Sequence, residues 1–331
     1  MGIKKTKLLV TGGAGYIGSH TCKKLYEMGY EPIVIDNLST GHSWAVKWGP
    51  LIEGDIADEK LIKSIIKQYN IDAVIHFAAN AYVGESVTHP RKYFQNNVLG
   101  SIQLLNAILD VGVKHFVFSS SCASYGNPTK TPINEKQSCH PINPYGESKL
   151  FVEKVLKSYG VSYKLNWIAL RYFNVAGADP EMEIGEDHDP ETHLLPLAIN
   201  TALGKRSVLE VYGTDYPTKD GTAIRDYIHV LDLANAHIKS VEYLLNGGKS
   251  EIMNVGIGKG YSVYDIIKVV EKLSNAPLPI KICGNRHGDP PSLIAEAYKA
   301  KRVLKWEPKY KTIDSIIETA WNWHKKELNN G

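Results

Sequence analysis

The chain predicts an α/β fold around a doubly wound parallel sheet, with a smaller α/β lobe towards the C-terminus, and three observations carry that reading. Residues 7–10 form a short apolar run that passes through Thr11-Gly12-Gly13-Ala14-Gly15-Tyr16-Ile17-Gly18 into a helical pattern at 19–26. Apolar runs at 32–35, 73–79, 114–119 and 165–172 alternate with helical patterns at 58–69, 96–109 and 144–159. Strands without polar alternation, separated by helices, belong to a parallel sheet covered on both faces. Beyond about Val175 the rhythm breaks: 179–196 is acidic, Pro-bearing and irregular, and later strands are short.

The first strand, glycine turn and helix form the context in which helix amides meet phosphates. Gly12 allows the tight turn, Gly15 lets backbone approach a pyrophosphate, and Gly18 lets the helix close on the strand. The spacing is G-x-x-G-x-x-G, a departure from G-x-G-x-x-G. The second strand ends in Asp36-Asn37. A carboxylate at that point accepts from a ribose 2′-hydroxyl and repels a 2′-phosphate, which predicts NAD rather than NADP on a Rossmann-like domain. Residues 51–56 read as a third strand, and Asp58 as the N-cap of the helix after it. The division expected is a nucleotide-binding domain at 1–175 and a substrate lobe at 176–331. The strand and helix pattern at 226–245 returns the chain to the first domain.

Length and composition narrow the class. At 331 residues the chain has room for two lobes and a substantial core. Hydrophobic content of 43% and charged content of 22% are those of an ordinary globular protein, and a net charge of +3 gives no reason to invoke nucleic acid. Cys22, Cys122, Cys139 and Cys283 lack C-x-x-C spacing, which argues against a disulfide framework or structural zinc and fits a reducing compartment. The apolar stretch after the basic start is too short for a signal sequence or a membrane span, so a cytoplasmic location is expected. His188 and His193 lie near acids but without ligand spacing, and no metal is expected.

The chemistry is carried by Tyr145-Gly146-Glu147-Ser148-Lys149, downstream of Ser119-Ser120-Ser121. On a helix, a spacing of four stacks Tyr145 and Lys149 on one face, so the ammonium acts on the phenol. A free phenol titrates near 10 and is a poor base at neutral pH. Lowering it by roughly three units takes about 4 kcal/mol, which a Lys and a cationic nicotinamide ring can supply together. Tyr145 then becomes a base for a hydroxyl proton.

With these residues in view, the chain resembles the extended short-chain dehydrogenase/reductase family, and within it the UDP-glucose 4-epimerases, over essentially its whole length. The likeness rests on 11–18, Asp36-Asn37-Leu38, Gly54-Asp55-Ile56, His76-Phe77-Ala78, 83–87, 119–121, Tyr125-Gly126, 145–149, Arg171-Tyr172-Phe173-Asn174 and 220–229. The resemblance implies Tyr145 as base, Ser121 on the reacting oxygen, and Lys149 on the nicotinamide ribose. It implies NAD contacts from Tyr16, Ile17, Asp36, Asn37, Asp55 and Ile56 in the first half of the domain. Phe77, Ala78, Asn96, Ser119 and Phe173 complete them. UDP-sugar contacts are implied for Asn174, Leu194, Tyr212, Arg225, Arg286 and Asp289, with Leu293 at the wall of the sugar pocket. Two arginines suit a diphosphate, because each meets its oxygens with a bidentate fork. A homodimer through the 96–109 and 144–159 helices is also implied. Three positions depart from the pattern: Ala81 where many members have Lys, His193 where others have Asn, and Ser124 where Val is usual.

The activity so implied is interconversion of UDP-glucose and UDP-galactose. The sugar is oxidised at C4, the 4-keto sugar turns about its diphosphate link, and the hydride returns to its other face. An epimerase of another UDP-sugar, N-acetylated or pentose, has the same requirements. A sugar-nucleotide dehydratase needs a further acid/base pair and carries Asp-Glu where this chain has Cys122-Ala123. A non-catalytic NAD-sensing protein of the same fold commonly loses the Tyr or the Lys, and both are present here.

Overall fold

The computed structural model describes residues 5–286 and 289–330. The first half runs β1 (Lys7–Thr11), α1 (Tyr16–Glu27), β2 (Glu31–Asp36), β3 (Leu51–Glu53), α2 (Glu59–Tyr69), β4 (Ala73–His76), α3 (Val83–Thr88), α4 (Pro90–Tyr93), α5 (Ser101–Asp110), β5 (His115–Ser121), α6 (Pro144–Tyr163) and β6 (Asn166–Tyr172). The second runs β7 (Asn174–Ala176), α7 (Leu194–Ala202), β8 (Leu209–Tyr212), β9 (Ile224–His229), α8 (Val230–Leu245), β10 (Glu251–Val255), β11 (Gly260–Ser262), α9 (Val263–Ser274), β12 (Ile280–Cys283), β13 (Ser292–Leu293), α10 (Tyr298–Leu304) and α11 (Ile313–Asn330).

A seven-stranded sheet in the order β10-β6-β5-β4-β1-β2-β3 forms the centre, and every neighbouring pair is parallel. Its apolar runs are buried on both faces. Leu8 and Val10 pack with Leu25 of α1, Leu233 of α8 and Leu304 of α10. Leu9 and Val74 pack with Ile62 of α2, Leu104 of α5 and Leu156 of α6. The strand order reverses between β1 and β4, and the crevice at that point is where open sheets of this kind take ligands. A four-stranded sheet of β7, β9, β11 and β13 and the pair β8–β12 build the second lobe around Ile199, Val211, Ile266 and Ile317. After β9, helix α8 packs over α1 and β10 joins the edge of the large sheet beside β6.

Local signals explain the boundaries. Asp58 caps α2 by accepting from the amides of Lys60 and Leu61 at 3.0 Å, and Asn70 ends it in the left-handed region. Asn143 caps α6 by accepting from Gly146 at 2.8 Å, with Pro144 in the first turn. The helix expected at 96–109 starts earlier, at Pro90, and passes through a π-helical stretch at Phe94–Gly100 before α5. Each π turn takes an extra residue and shifts the side chains out of the 3.6-residue register, so periodicity shows only after it.

One buried pair fixes α6 on the sheet. Arg171 of β6 donates to Glu153 of α6 through Nε at 2.8 Å and Nη2 at 2.5 Å, and Ser120 of β5 donates to the same carboxylate at 2.7 Å. Glu153 is fully buried and Arg171 nearly so, with the guanidinium against the Tyr125 ring. Removing one member of such a pair leaves an uncompensated charge in the interior. Arg171→Met is therefore expected to lower stability by about 3–5 kcal/mol, read from denaturant unfolding. A loss below about 1 kcal/mol, the usual value of an exposed pair, would contradict this.

Candidate active site

The crevice begins at the glycine turn. Gly12 adopts φ +71°, and a Cβ there would stand 2.5 Å from the Ala78 amide, so β1 and the end of β4 meet closely only with glycine. A Cβ on Gly18 would fall 2.1 Å from the Gly12 carbonyl, whereas one on Gly15 would meet only that oxygen, at 3.5 Å. Gly18 thus closes helix on turn, and Gly15 faces open space. Helix α1 starts at Gly15 with no side-chain cap and no acid in its first turn. Its first amides and dipole are positioned for an anion.

Asp36 ends β2 with its carboxylate held by the amides of Ala14 and Leu38, both at 2.9 Å. Burial pushes its pKa up while the two amides pull it down. Asn37 donates to Asp55 at 3.2 Å, and Ile56 is buried beside them. Uncapped helix, glycine cradle and strand-end carboxylate fit a dinucleotide, with the carboxylate in place for a ribose. Further along the crevice Phe77 packs on the His237 ring, Ser119 donates to the Tyr172 hydroxyl at 2.9 Å, and Phe173 is buried with Leu293. Asn96 lies in the π-helical stretch and donates to Asn97 at 2.9 Å.

Tyr145 and Lys149 share one face of α6, both nearly buried. The Ser121 hydroxyl is near enough to the Tyr145 phenol to draw its pKa down, and it accepts from the Ala123 amide at 3.1 Å. Lys149 donates to the Ser119 carbonyl at 2.8 Å, with its ammonium 5.8 Å from the Tyr145 ring centre. The phenol pKa is not lowered in the protein alone. Burial drives it well above its ordinary value, the Tyr172 phenol adds to that, and the Ser121 hydroxyl only partly offsets it. Burial also brings the Lys149 ammonium down to about 7. The sequence expectation therefore holds for placement, while lowering the phenol pKa needs positive charge beyond Lys149.

The second lobe closes the far side. Arg225 of β9 is paired with Asp289, and Leu293 of β13 stands in register beside it. The Arg286 guanidinium carbon lies over the Tyr212 ring, 4.1 Å from its centre. Arg286 and Asp289 line a cavity of about 510 Å³ with Lys130, Tyr216 and Asn285. Asn174 opens β7, paired with Tyr227 of β9, and Leu194 begins α7. Of the departures noted in the sequence, Ala81 is exposed and Ser124 is buried with its hydroxyl unpartnered.

The family described as NAD dependent epimerase/dehydratase matches residues 8–256. The chain belongs to this family. It is 49% identical over 329 residues to the UDP-glucose 4-epimerase of Rhizobium meliloti, spanning 99% of this chain and all of that protein. The crystal structure of UDP-glucose 4-epimerase from Brucella ovis in complex with NAD superposes with a TM-score of 0.94 at 50% identity, covering 96% of this chain and 98% of that one. The UDP-glucose-4-epimerase of Stenotrophomonas maltophila, with bound NAD and formylated UDP-arabinopyranose, gives a TM-score of 0.95 at 37% identity, covering 98% of this chain and all of that one.

Within this family member, several site residues escaped sequence reasoning. Asn97 is buried and clasps the Asn80 backbone at both its amide and its carbonyl, fixing the loop after β4 on the π-helical stretch. His76 bridges Thr11 at 2.7 Å and Ser101 at 2.8 Å. A buried histidine ending an apolar strand was the available signal for it, whereas Asn97 beside Asn96 offered none. Tyr216, Asn285 and Lys130 come from loops without a periodic pattern.

Lys149 also sets a pH dependence. Its ordinary pKa of 10.5 falls to about 7 in the folded protein, so between these values the unfolded chain binds more protons and stability rises with pH. Below about pH 7 both states are charged and the burial penalty is felt in full. In urea titrations of cofactor-free protein at several pH values from 7 to 10, the wild type should gain stability relative to Lys149→Met as pH rises. A difference that stays constant would show the ammonium to be solvated.

Proposed function

We propose that the protein interconverts UDP-glucose and UDP-galactose through transient oxidation at C4. The observation that carries this reading is the Tyr145 phenol beside Ser121 with Lys149 one turn along the helix, at the strand ends that face the glycine turn. Near full-length similarity to UDP-glucose 4-epimerases supports the substrate.

Ser121 orients the C4 hydroxyl against Tyr145, which removes its proton. The α1 amides, Asp36, Asn37, Lys149 and the Phe77 and Phe173 walls would hold NAD, which would supply a reversible hydride acceptor and a positive charge near the phenol. The buried Lys149 ammonium, held by the Ser119 carbonyl, orients the ribose side and adds to that charge. Arg286, over the Tyr212 ring, and Arg225, aligned by Asp289, grip the diphosphate, so the sugar can turn while the UDP stays anchored. Tyr145 then returns the proton to the alkoxide on the opposite face.

A dehydratase is disfavoured at the position where it needs an acid/base pair. Burial pushes the Cys122 thiol up to about 12, and Ala123 has no proton to give. Two copies pair through the 83–110 region and α6, which expose Val87, Phe94, Leu99 and Phe151. Four free cysteines support a reducing, cytoplasmic setting. No helix among the described residues is long and apolar enough to cross a membrane.

Purified protein should interconvert the two UDP-sugars without added NAD. Tyr145→Phe should lower turnover by at least about 100- to 10,000-fold while UDP binding persists. Near-normal turnover in that variant would refute the assignment of the base.

A further inference from the structure

Between β7 and α7 the chain carries two Glu-x-His steps, Glu186-Asp187-His188 and Glu191-Thr192-His193, separated by Asp189-Pro190. The fold draws their side chains together, with ligand-type atoms from all four within 4.8 Å of one another. His193 Nδ1 stands 2.7 Å from Glu186 Oε1 and 3.4 Å from Glu191 Oε1. His188 Nδ1 stands 3.3 Å from Glu186 Oε1 and 3.5 Å from Glu191 Oε2. Bond lengths of about 2.0–2.2 Å to zinc-type ions put neighbouring ligand atoms of a tetrahedral site at roughly 3.3–3.6 Å. Three of the four separations, 3.3, 3.4 and 3.5 Å, lie in that range, and the 2.7 Å approach of His193 to Glu186 is shorter.

Alignment separates this cluster from an ordinary ion-pair network. Both Nδ1 atoms and Glu186 Oε1 are buried without a hydrogen-bond partner, although they lie close together. The carboxylates attract the rings, but the Nδ1 of neither ring meets hydrogen-bond geometry with a carboxylate oxygen. Glu191 is fixed by the amides of Thr192 and His193 at 2.6 and 2.7 Å, both to Oε1. Glu186, His188 and Glu191 line a cavity of about 220 Å³. Two further orphaned atoms, Asn200 Oδ1 and His324 Nε2, belong to residues on its wall. Glu186 is only 4% exposed, so the orphaned carboxylate oxygen is not rescued by bulk water.

We propose that Glu186, His188, Glu191 and His193 bind one divalent first-row transition ion in a two-histidine, two-carboxylate site with a structural role. An ion that binds here displaces the imidazole protons; two carboxylates and two imidazoles so deprotonated carry a charge of −2, which one dication balances, and mixed N and O ligands suit zinc and its neighbours. The ion ties the irregular segment after β7 to three parts of the molecule. The edge of the Tyr16 ring meets His188, the Tyr82 ring meets it from the loop after β4, and His193 adjoins Leu194 at the start of α7. The site takes no part in the proton transfers at Tyr145, so it stands or falls independently of the proposed reaction.

The test uses the cofactor-containing enzyme, dialysed against a chelator and titrated with zinc chloride by calorimetry. One equivalent per chain is expected with a dissociation constant of about 1 μM or tighter, accompanied by a rise in melting temperature. His188→Ala/His193→Ala should bind at least about 100-fold more weakly and show no thermal shift. Should that double variant fail to fold, Glu186→Gln keeps the shape and should weaken binding at least about tenfold. Absence of zinc binding by the wild type, or equal affinity in the folded variants, would overturn the proposal and leave two imidazolium–carboxylate pairs as the occupant of the site.

Discussion

The buried contact between Arg171 and Glu153 is the constraint on which the geometry of the site depends. Helix α6 carries Tyr145 near its start and Lys149 a turn later, and Glu153 follows one turn further along on the same side. Glu153 is anchored at once to β6 through Arg171 and to β5 through Ser120. The same two strands supply Ser119, Ser121, Tyr172 and, just beyond β6, Phe173. One interior ion pair therefore holds the Tyr–Lys face in register with the strand ends that complete the site. Burying two charges contributes little stability compared with apolar packing of equal volume, and its value here lies in orientation.

Burial is used in two opposing ways around that anchor. It makes the Lys149 ammonium costly and keeps the Tyr145 proton tightly bound, so the pair is inert as a base until further positive charge enters the crevice. Proton removal is thus linked to occupancy of the dinucleotide groove. In the proposed mechanism the second lobe adds the anchor for the substrate: Arg225 and Asp289 align across β9 and the segment before β13, while Arg286 is braced by Tyr212. Positioning by fixed charges on one side and a roomy cavity on the other suits a sugar that must turn while its diphosphate stays still.

Much of this was legible in the sequence because the signals were local. The glycine turn, Asp36, the Asp58 cap and the Tyr145–Lys149 spacing each act within one strand or helix, where period and end residues are diagnostic. What was not legible depends on distant partners. The helix from Pro90 was dated too late because a π-helical stretch breaks the period. The edge strand β10 gains its place from α8 packing over α1. The Glu186, His188, Glu191 and His193 cluster was set aside for want of ligand spacing, since an irregular loop rather than a helix brings those residues together. Resemblance to a family singled out Arg225 and Arg286 as expected diphosphate contacts, but pairing of Arg225 with Asp289 emerged only from the fold.

In the proposed mechanism hydrogen leaves C4 of the sugar and returns to the same carbon without exchanging with solvent. UDP-glucose deuterated at C4, incubated with the enzyme and analysed as UDP-galactose by mass spectrometry and NMR, tests this most directly. Full retention of deuterium at C4, with no deuterium taken up at carbon when unlabelled substrate turns over in D₂O, is the predicted result. Loss of the label to water, which would mean exchange during turnover, or its appearance at C6, which would mean dehydration across C5 and C6, would contradict this mechanism.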